Sequence, residues 1–307
     1  MTPTGPRPGA DRARLNGDLL VDVGSPEEYG ALVLRFLREA IGRVEGPLKS
    51  RVEELAAGPA GQVHGGALAG LIQLSAASLE LGGIHQHRPY SPENLEWLAE
   101  RAAEGRTVTA TAGIVGQGGL RIEVLCHLWA WRDDADERWA VLRISTPVTA
   151  ELAAAVVGSI RDAAAAADPV FGSVGHGGEP TRTELEHALG LRDLGDTYDD
   201  ARRILRGYDW ITVVPRQLAA EHGGPAAHAG AGLAEAEELP SGALWLRATE
   251  EFADYRGSAV WAMFQAVAPM LPTGLPAARE ELGVPRPASP VVLEDAGTYG
   301  ATRAFDS

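Results

Sequence analysis

Tyr29, Val33, Phe36, Leu37, Ala40, Ile41 and Val44 recur three and four residues apart, so they share one face of a helix. That helix opens at Ser25-Pro26-Glu27-Glu28, with serine at the cap, proline in the first turn and a glutamate three residues on. Gly46-Pro47 is predicted to break it, with a shorter helix running to about Ala57. The Ala- and Leu-rich stretch Gly66–Leu81 reads as a buried helix, and Ser91-Pro92 starts another that ends near Gly105. The period then changes. Thr107–Val115 is rich in β-branched residues, and Gln117-Gly118-Gly119 makes a turn. Leu120, Ile122, Val124, Cys126, Leu128 and Ala130 alternate with Arg121, Glu123, Leu125, His127, Trp129 and Trp131, which predicts a strand with two unlike faces. Trp139–Thr146 reads as a third strand, and the three form an antiparallel meander.

The pattern downstream is mixed. Thr149–Ala167 reads as a helix, Val170–Gly175 as a strand, and Thr181–Leu191 and Thr197–Arg206 as helices. A strand Trp210–Val214 leads to a helix opened by Pro215 and stopped at Gly223-Gly224. After the Ala/Gly-rich loop Pro225–Gly232, a strand is expected through Gly242–Thr249 and a last helix over Asp254–Met270. Pro276, Pro285, Pro287 and Pro290 predict an extended tail. Helices, then strands, then a mixture indicate an α+β fold: an antiparallel meander sheet with packed helices and a helical N-terminal third. The expected organisation is a flexible lead over 1–17, a helical region over 18–105, an α+β body over 106–275 and an extended tail over 276–307.

Composition narrows the chemistry. The chain has 307 residues with 45% apolar and 22% charged, enough to bury a core without disulfides. With one cysteine, Cys126, disulfide frameworks and multi-cysteine metal sites are excluded within the chain. The net charge of −15, from 42 acids against 27 bases, argues against a nucleic-acid partner. No run of about 18 apolar residues is available to cross a bilayer, and Met1–Gly17 lacks a secretory pattern, so a cytoplasmic setting without membrane contact is expected. Lys49 is the only lysine, and it stands in Gly46-Pro47-Leu48-Lys49-Ser50 without a phosphate-binding glycine loop.

Candidate chemistry is sparse. His85-Gln86-His87 and the His222/His228 pair lack the third and fourth ligands that a metal needs, so neither a metal nor a cofactor is expected. Cys126 and His127 are adjacent on one strand and point to opposite faces, which rules out a thiol–imidazole pair. His64-Gly65-Gly66 before an apolar helix, with Gly105-Arg106-Thr107 before a long strand, resembles the hotdog-fold thioesterases. That resemblance implies an acyl-binding turn at His64, Gly65 and Gly66.

The densest run is Arg202-Arg203-Ile204-Leu205-Arg206-Gly207-Tyr208-Asp209-Trp210, followed by a strand, Pro215 and His222-Gly223-Gly224. It reads either as a helix–strand–helix staple with aromatic packing or as a binding edge carried by Arg206, Tyr208 and Asp209. With Asp168-Pro169-Val170-Phe171-Gly172, the segment Leu239–Thr249 and Leu271-Pro272-Thr273-Gly274, it resembles a bacterial family related to type VI secretion immunity proteins, over about Leu142–Leu275. The resemblance implies a non-catalytic protein that binds and neutralises a toxin or effector, and the acidity suits a basic protein partner. A hotdog-type acyl-thioester hydrolase or other small-molecule enzyme is the alternative, and a ligand-binding or assembly protein a further one. A homodimer is left open.

Overall fold

The computed structural model describes residues 14–56, 72–78, 84–115, 121–132, 138–176, 182–191, 195–278 and 289–305. Ten strands form one antiparallel sheet: β1 (Arg14–Asp22), β2 (Ile72–Ser78), β3 (Ile84–Pro89), β4 (Thr107–Val115), β5 (Arg121–Arg132), β6 (Trp139–Pro147), β7 (Asp168–Gly175), β8 (Ile211–Val214), β9 (Glu235–Glu238) and β10 (Leu244–Arg247). Their order across the sheet is β3-β2-β4-β5-β6-β1-β7-β8-β10-β9. With the helices packed on it, this is an α+β fold, and the meander β4–β5–β6 stands as the alternation predicts.

Three long helices cover one face. They are α1 (Pro26–Ala56), α2 (Pro92–Ala103) and α3 (Ala150–Ala166). Leu15, Leu19 and Val21 of β1, Cys126, Leu128 and Ala130 of β5, and Leu142 and Ile144 of β6 form the sheet side of this core. Tyr29, Val33, Phe36, Leu37, Ile41, Val44 and Leu48 of α1 close it from above. Gly17 lets α3 lie close to β1, because a Cβ there would stand 2.5 Å from Ile160 Cγ1 and 2.9 Å from Val156 Cγ1.

Several sequence expectations are overturned. Residues 14–17 belong to β1, a central strand between β6 and β7, not to a flexible lead. Its outward residues Arg14, Asn16, Asp18 and Asp22 are polar, and Gly17 interrupts the apolar side, so the strand signal is weak. The N-terminal third is not purely helical: three strands, β1 to β3, lie within it. Where a buried helix over Gly66–Leu81 is expected, Ile72–Ser78 is a strand whose Ile72, Leu74 and Ala76 are buried and whose Gln73 is exposed, a period of two. Gly46-Pro47 does not end α1, because Leu48 continues the buried stripe one turn after Val44 and that packing offsets the proline. β2 also pairs with β4, so one sheet joins the expected N-terminal region to the body.

In the second half the long helices expected over Thr181–Arg206 shrink to α4 (Glu184–Ala188) and α5 (Gly195–Tyr198), followed by turns. Pro215 caps α6 (Arg216–Glu221), and α7 (Gly224–His228) lies where a loop is expected. The last long helix is α8 (Ser258–Val267). The described part of the tail, residues 289–305, is seated on the body. Ser289, Ala296, Ala301 and Phe305 are buried, and Thr273 donates its N–H to the Arg303 carbonyl at 2.8 Å.

Candidate functional site

On the face of the sheet opposite α1–α3, two rows are mostly polar, beside an apolar row of Trp131, Val141, Leu20 and Phe171. Because strand residues alternate, register decides which side chains share a row. His87 on β3, Ser75 on β2, Thr109 on β4, Trp129 on β5, Arg143 on β6, Asp18 on β1, Ser173 on β7 and Thr212 on β8 stand opposite one another in turn. A second row runs beside it through Gln73, Thr111, His127, Ser145, Asn16 and Gly175. The rows start in solvent and end inside the molecule. His87 and Gln73 are exposed; Ser75, Thr109, Thr111, His127 and Trp129 are half-buried; Arg143 and Thr212 are buried.

At the open end, His87 Nδ1 lies 2.7 Å from Ser75 Oγ. Trp129 and Trp131 stack on the outward side of β5, with ring centroids 6.0 Å apart and planes 9° from parallel. Two half-buried indoles on a surface of hydroxyls and imidazoles supply a large, rigid apolar platform, the kind of group that anchors interfaces. On β4, Thr109 stands opposite Trp129 and Thr111 opposite His127.

Toward the closed end the row becomes charged. Arg14 donates Nε to Ser145 Oγ and Nη2 to the Ser145 carbonyl, both at 2.8 Å. Arg143 Nε stands 3.4 Å from Asp18 Oδ1. Burial pushes the Asp18 carboxyl up to about 6, against the attraction of Arg143 and Arg206.

The three residues of the predicted binding edge lie beyond this end, and all are buried: Arg206 is 3% exposed, Tyr208 5% and Asp209 4%. Thr183 and Glu186 form a reciprocal cap on α4. Glu186 then receives Arg206 through Nε at 2.7 Å and Nη2 at 2.9 Å. Thr183 Oγ1 closes the group by donating to the Arg206 carbonyl at 2.9 Å. The Arg206 guanidinium also sits 4.8 Å from the Tyr198 ring centroid and 5.7 Å from that of Phe171. Tyr208 packs on Phe264 and accepts the Val292 N–H at 2.7 Å. Asp209 accepts the Trp210 N–H at 2.7 Å and the Ser289 hydroxyl. The run therefore staples the last part of the chain to the sheet, and none of its three candidates edges an exposed surface.

His64, Gly65 and Gly66 lie outside the described residues. The helix that the thioesterase likeness places after them is β2 over Ile72–Ser78. His85 and His87 fall on β3, not in a loop. Among the described residues no group of three or more His, Cys, Asp or Glu side chains could hold a metal ion. No described helix is long and apolar enough to cross a membrane. A cavity of about 190 Å³ lies elsewhere, between α6 and the tail, lined by Arg203, Glu221, His222, Met270, Thr302 and Arg303. Arg203 is paired there with Asp200, and Arg303 donates to the Arg203 carbonyl at 2.7 Å.

The sequence shows Trp129 and Trp131 on one side of a strand but not what stands beside them. Register with β4 and β6 brings Thr109 and Arg143 to Trp129, and no spacing in the chain announces that.

These features define an α+β protein whose antiparallel sheet is covered by helices on one face and presents a polar–aromatic surface on part of the other. No protein-family model matches the chain, and no curated protein matches it. Among solved structures it is similar to a type VI secretion system protein of Pseudomonas aeruginosa, with a TM-score of 0.55 at 14% identity. The match covers 90% of this chain and 79% of that one, and at this identity the likeness is one of fold.

Proposed function

We propose that this chain is a binding protein of the type VI secretion immunity kind, which holds a basic toxin or effector against the open face of β2, β4 and β5. The observation that carries the reading is the stacked Trp129–Trp131 pair on that face. Indoles anchor a partner by burying area at low entropic cost, and the bordering hydroxyls of Thr109, Thr111 and Ser75 pair with its polar groups. The net charge of −15 draws a basic protein toward the molecule before the indoles engage. The fold likeness to a type VI secretion system protein supports the biological setting.

The test is protection with a matched surface variant. Cells expressing a basic toxin encoded beside this chain's gene should survive when the chain is co-produced. Survival and co-purification should both be lost with Trp129→Ala/Trp131→Ala, while the thermal midpoint stays within a few degrees. A wild-type chain that neither protects nor co-purifies overturns the reading, and a double variant that still does both moves the interface elsewhere.

A further inference from the structure

The cavity of about 190 Å³ between α6 and the tail has three walls, each fixed by backbone hydrogen bonds. Glu221 is the last residue of α6 and His222 its cap, whose N–H donates to the Leu218 carbonyl at 3.0 Å. Met270 follows α8, and its carbonyl accepts the Leu205 N–H at 2.8 Å, which ties this wall to the turns that carry Arg203. The third wall is the tail, where Arg303 is held through its carbonyl by the Thr273 N–H at 2.8 Å.

The lining carries both signs of charge. Arg203 and Arg303 are cations and Glu221 is an anion, while burial holds the His222 imidazole below the ordinary histidine range, so it is neutral at pH 7. Each guanidinium has several N–H donors, and few of them are used here. Arg303 donates Nη1 to the Arg203 carbonyl at 2.7 Å, which positions the group. Its Nη2 stands 3.5 Å from Glu221 Oε2, the outer limit of a hydrogen bond. Arg203 uses Nη2 on Asp200. Among the described residues Glu221 has no other hydrogen-bond partner, and the His222 ring has none.

Donors and an acceptor thus surround one space with their strongest bonds unmade. A lone anion entering it would gain two guanidiniums but face Glu221, and a lone cation would gain Glu221 but face two guanidiniums. A solute with both charges satisfies both sides, since its carboxylate takes charge-assisted bonds from the arginines and its ammonium donates to Glu221. Size sets the other limit. A cavity of about 150 Å³ holds benzene, so this one takes roughly six to nine non-hydrogen atoms.

We propose that this cavity binds a small zwitterion of the α-amino-acid type, its carboxylate held by Arg303 and Arg203 and its ammonium by Glu221. His222 borders the ligand as a neutral imidazole. The site makes no use of the Trp129–Trp131 face, so it stands or falls independently of toxin binding.

Titration of the full chain, followed at the His222 ring protons by NMR, tests it. L-Alanine should move the His222 signal with half-saturation at about 1 mM or below, while His87 on β3 stays put. Acetate and ethylamine, each with one of the two charges, should need about ten-fold more or beyond, and L-tryptophan should be too large to bind. Arg303→Met and Glu221→Gln should each raise the L-alanine half-saturation point about ten-fold, and Glu221→Gln should leave the acetate point no higher than in the wild type. A His222 signal unmoved by L-alanine at about 50 mM overturns the site. Acetate as strong as L-alanine overturns the zwitterion, and so does equal binding of L-tryptophan or a response that neither substitution alters. If Arg303→Met does not fold, Glu221→Gln decides, because Glu221 is exposed and held only by the long Arg303 contact.

Discussion

Arg206 and Glu186 meet through two hydrogen bonds at 2.7 and 2.9 Å, with 4% and 1% of their side chains exposed. A buried pair of this geometry gains little over apolar residues of the same shape, but removing one partner strands the other's charge. Arg206→Ala should therefore destabilise the chain by about 3–5 kcal/mol. Replacing both partners, as in Arg206→Met with Glu186→Leu, should cost less than either single change. Urea unfolding of the three variants checks this. The sequence leaves Arg206 and Tyr208 open as an interface whose joint removal spares stability; their burial predicts unfolding instead.

Gly17 is set by the distance between α3 and β1. A methyl group at this position meets Ile160 Cγ1 at 2.5 Å and Val156 Cγ1 at 2.9 Å. Gly17→Ala should cost about 1–3 kcal/mol through overpacking. Ile160→Ala removes the Cγ1 that this methyl meets, so the double variant should cost less than the sum of the two single changes, as thermal melts of the single and double variants would reveal.

The outward indoles should behave differently from the staple. Trp131→Ala should lower stability by about 1–2 kcal/mol, since the ring is half-buried and its stacking on Trp129 is worth about 0.5–1.5 kcal/mol. Affinity for the proposed basic partner should drop by about 2 kcal/mol or more, roughly thirty-fold. Calorimetric titration beside a melting curve separates the two effects.

Asp18 makes stability depend on pH in the direction opposite to a salt-bridged surface acid. Its carboxyl is raised from 3.8 to about 6 by burial, so the folded state holds the proton more tightly than the unfolded one. The stability this confers is complete below about pH 4 and is lost by about pH 6. Asp18→Asn cannot ionise, so relative to the wild type it should gain roughly 2–3 kcal/mol between pH 4 and pH 7. Urea midpoints across that range test the slope, whatever the offset from loosening Arg143.

Cys126 lies on the covered side of β5, 1% exposed, and burial pushes its thiol up to about 12. A thiol reagent at pH 8 should leave the native chain unlabelled over hours and modify it within minutes in denaturant. Rapid native labelling would show that the α1–β5 interface opens.

By itself the sequence determined the periodic elements: the amphipathic stripe of α1, the alternation of β5, the meander β4–β5–β6, and the α+β class that follows from them. Those are local signals, since the side chains that create the period also make the contacts. It also determined the acidity and the single cysteine, which bound the chemistry before any coordinates. Tertiary structure decided the rest. Arg14–Asp22 became a central strand because β6 and β7 pair with it, both more than a hundred residues away, and Ile72–Ser78 became a strand because it lies between β3, which follows closely, and β4, which lies beyond α2. The same long-range pairing lined up His87, Ser75, Thr109, Trp129 and Arg143 and buried Arg206, Tyr208 and Asp209 beneath the chain's own end. Exposure and register are properties of the assembled sheet, so a conspicuous motif can turn out to be a staple while an ordinary alternating strand carries the open surface.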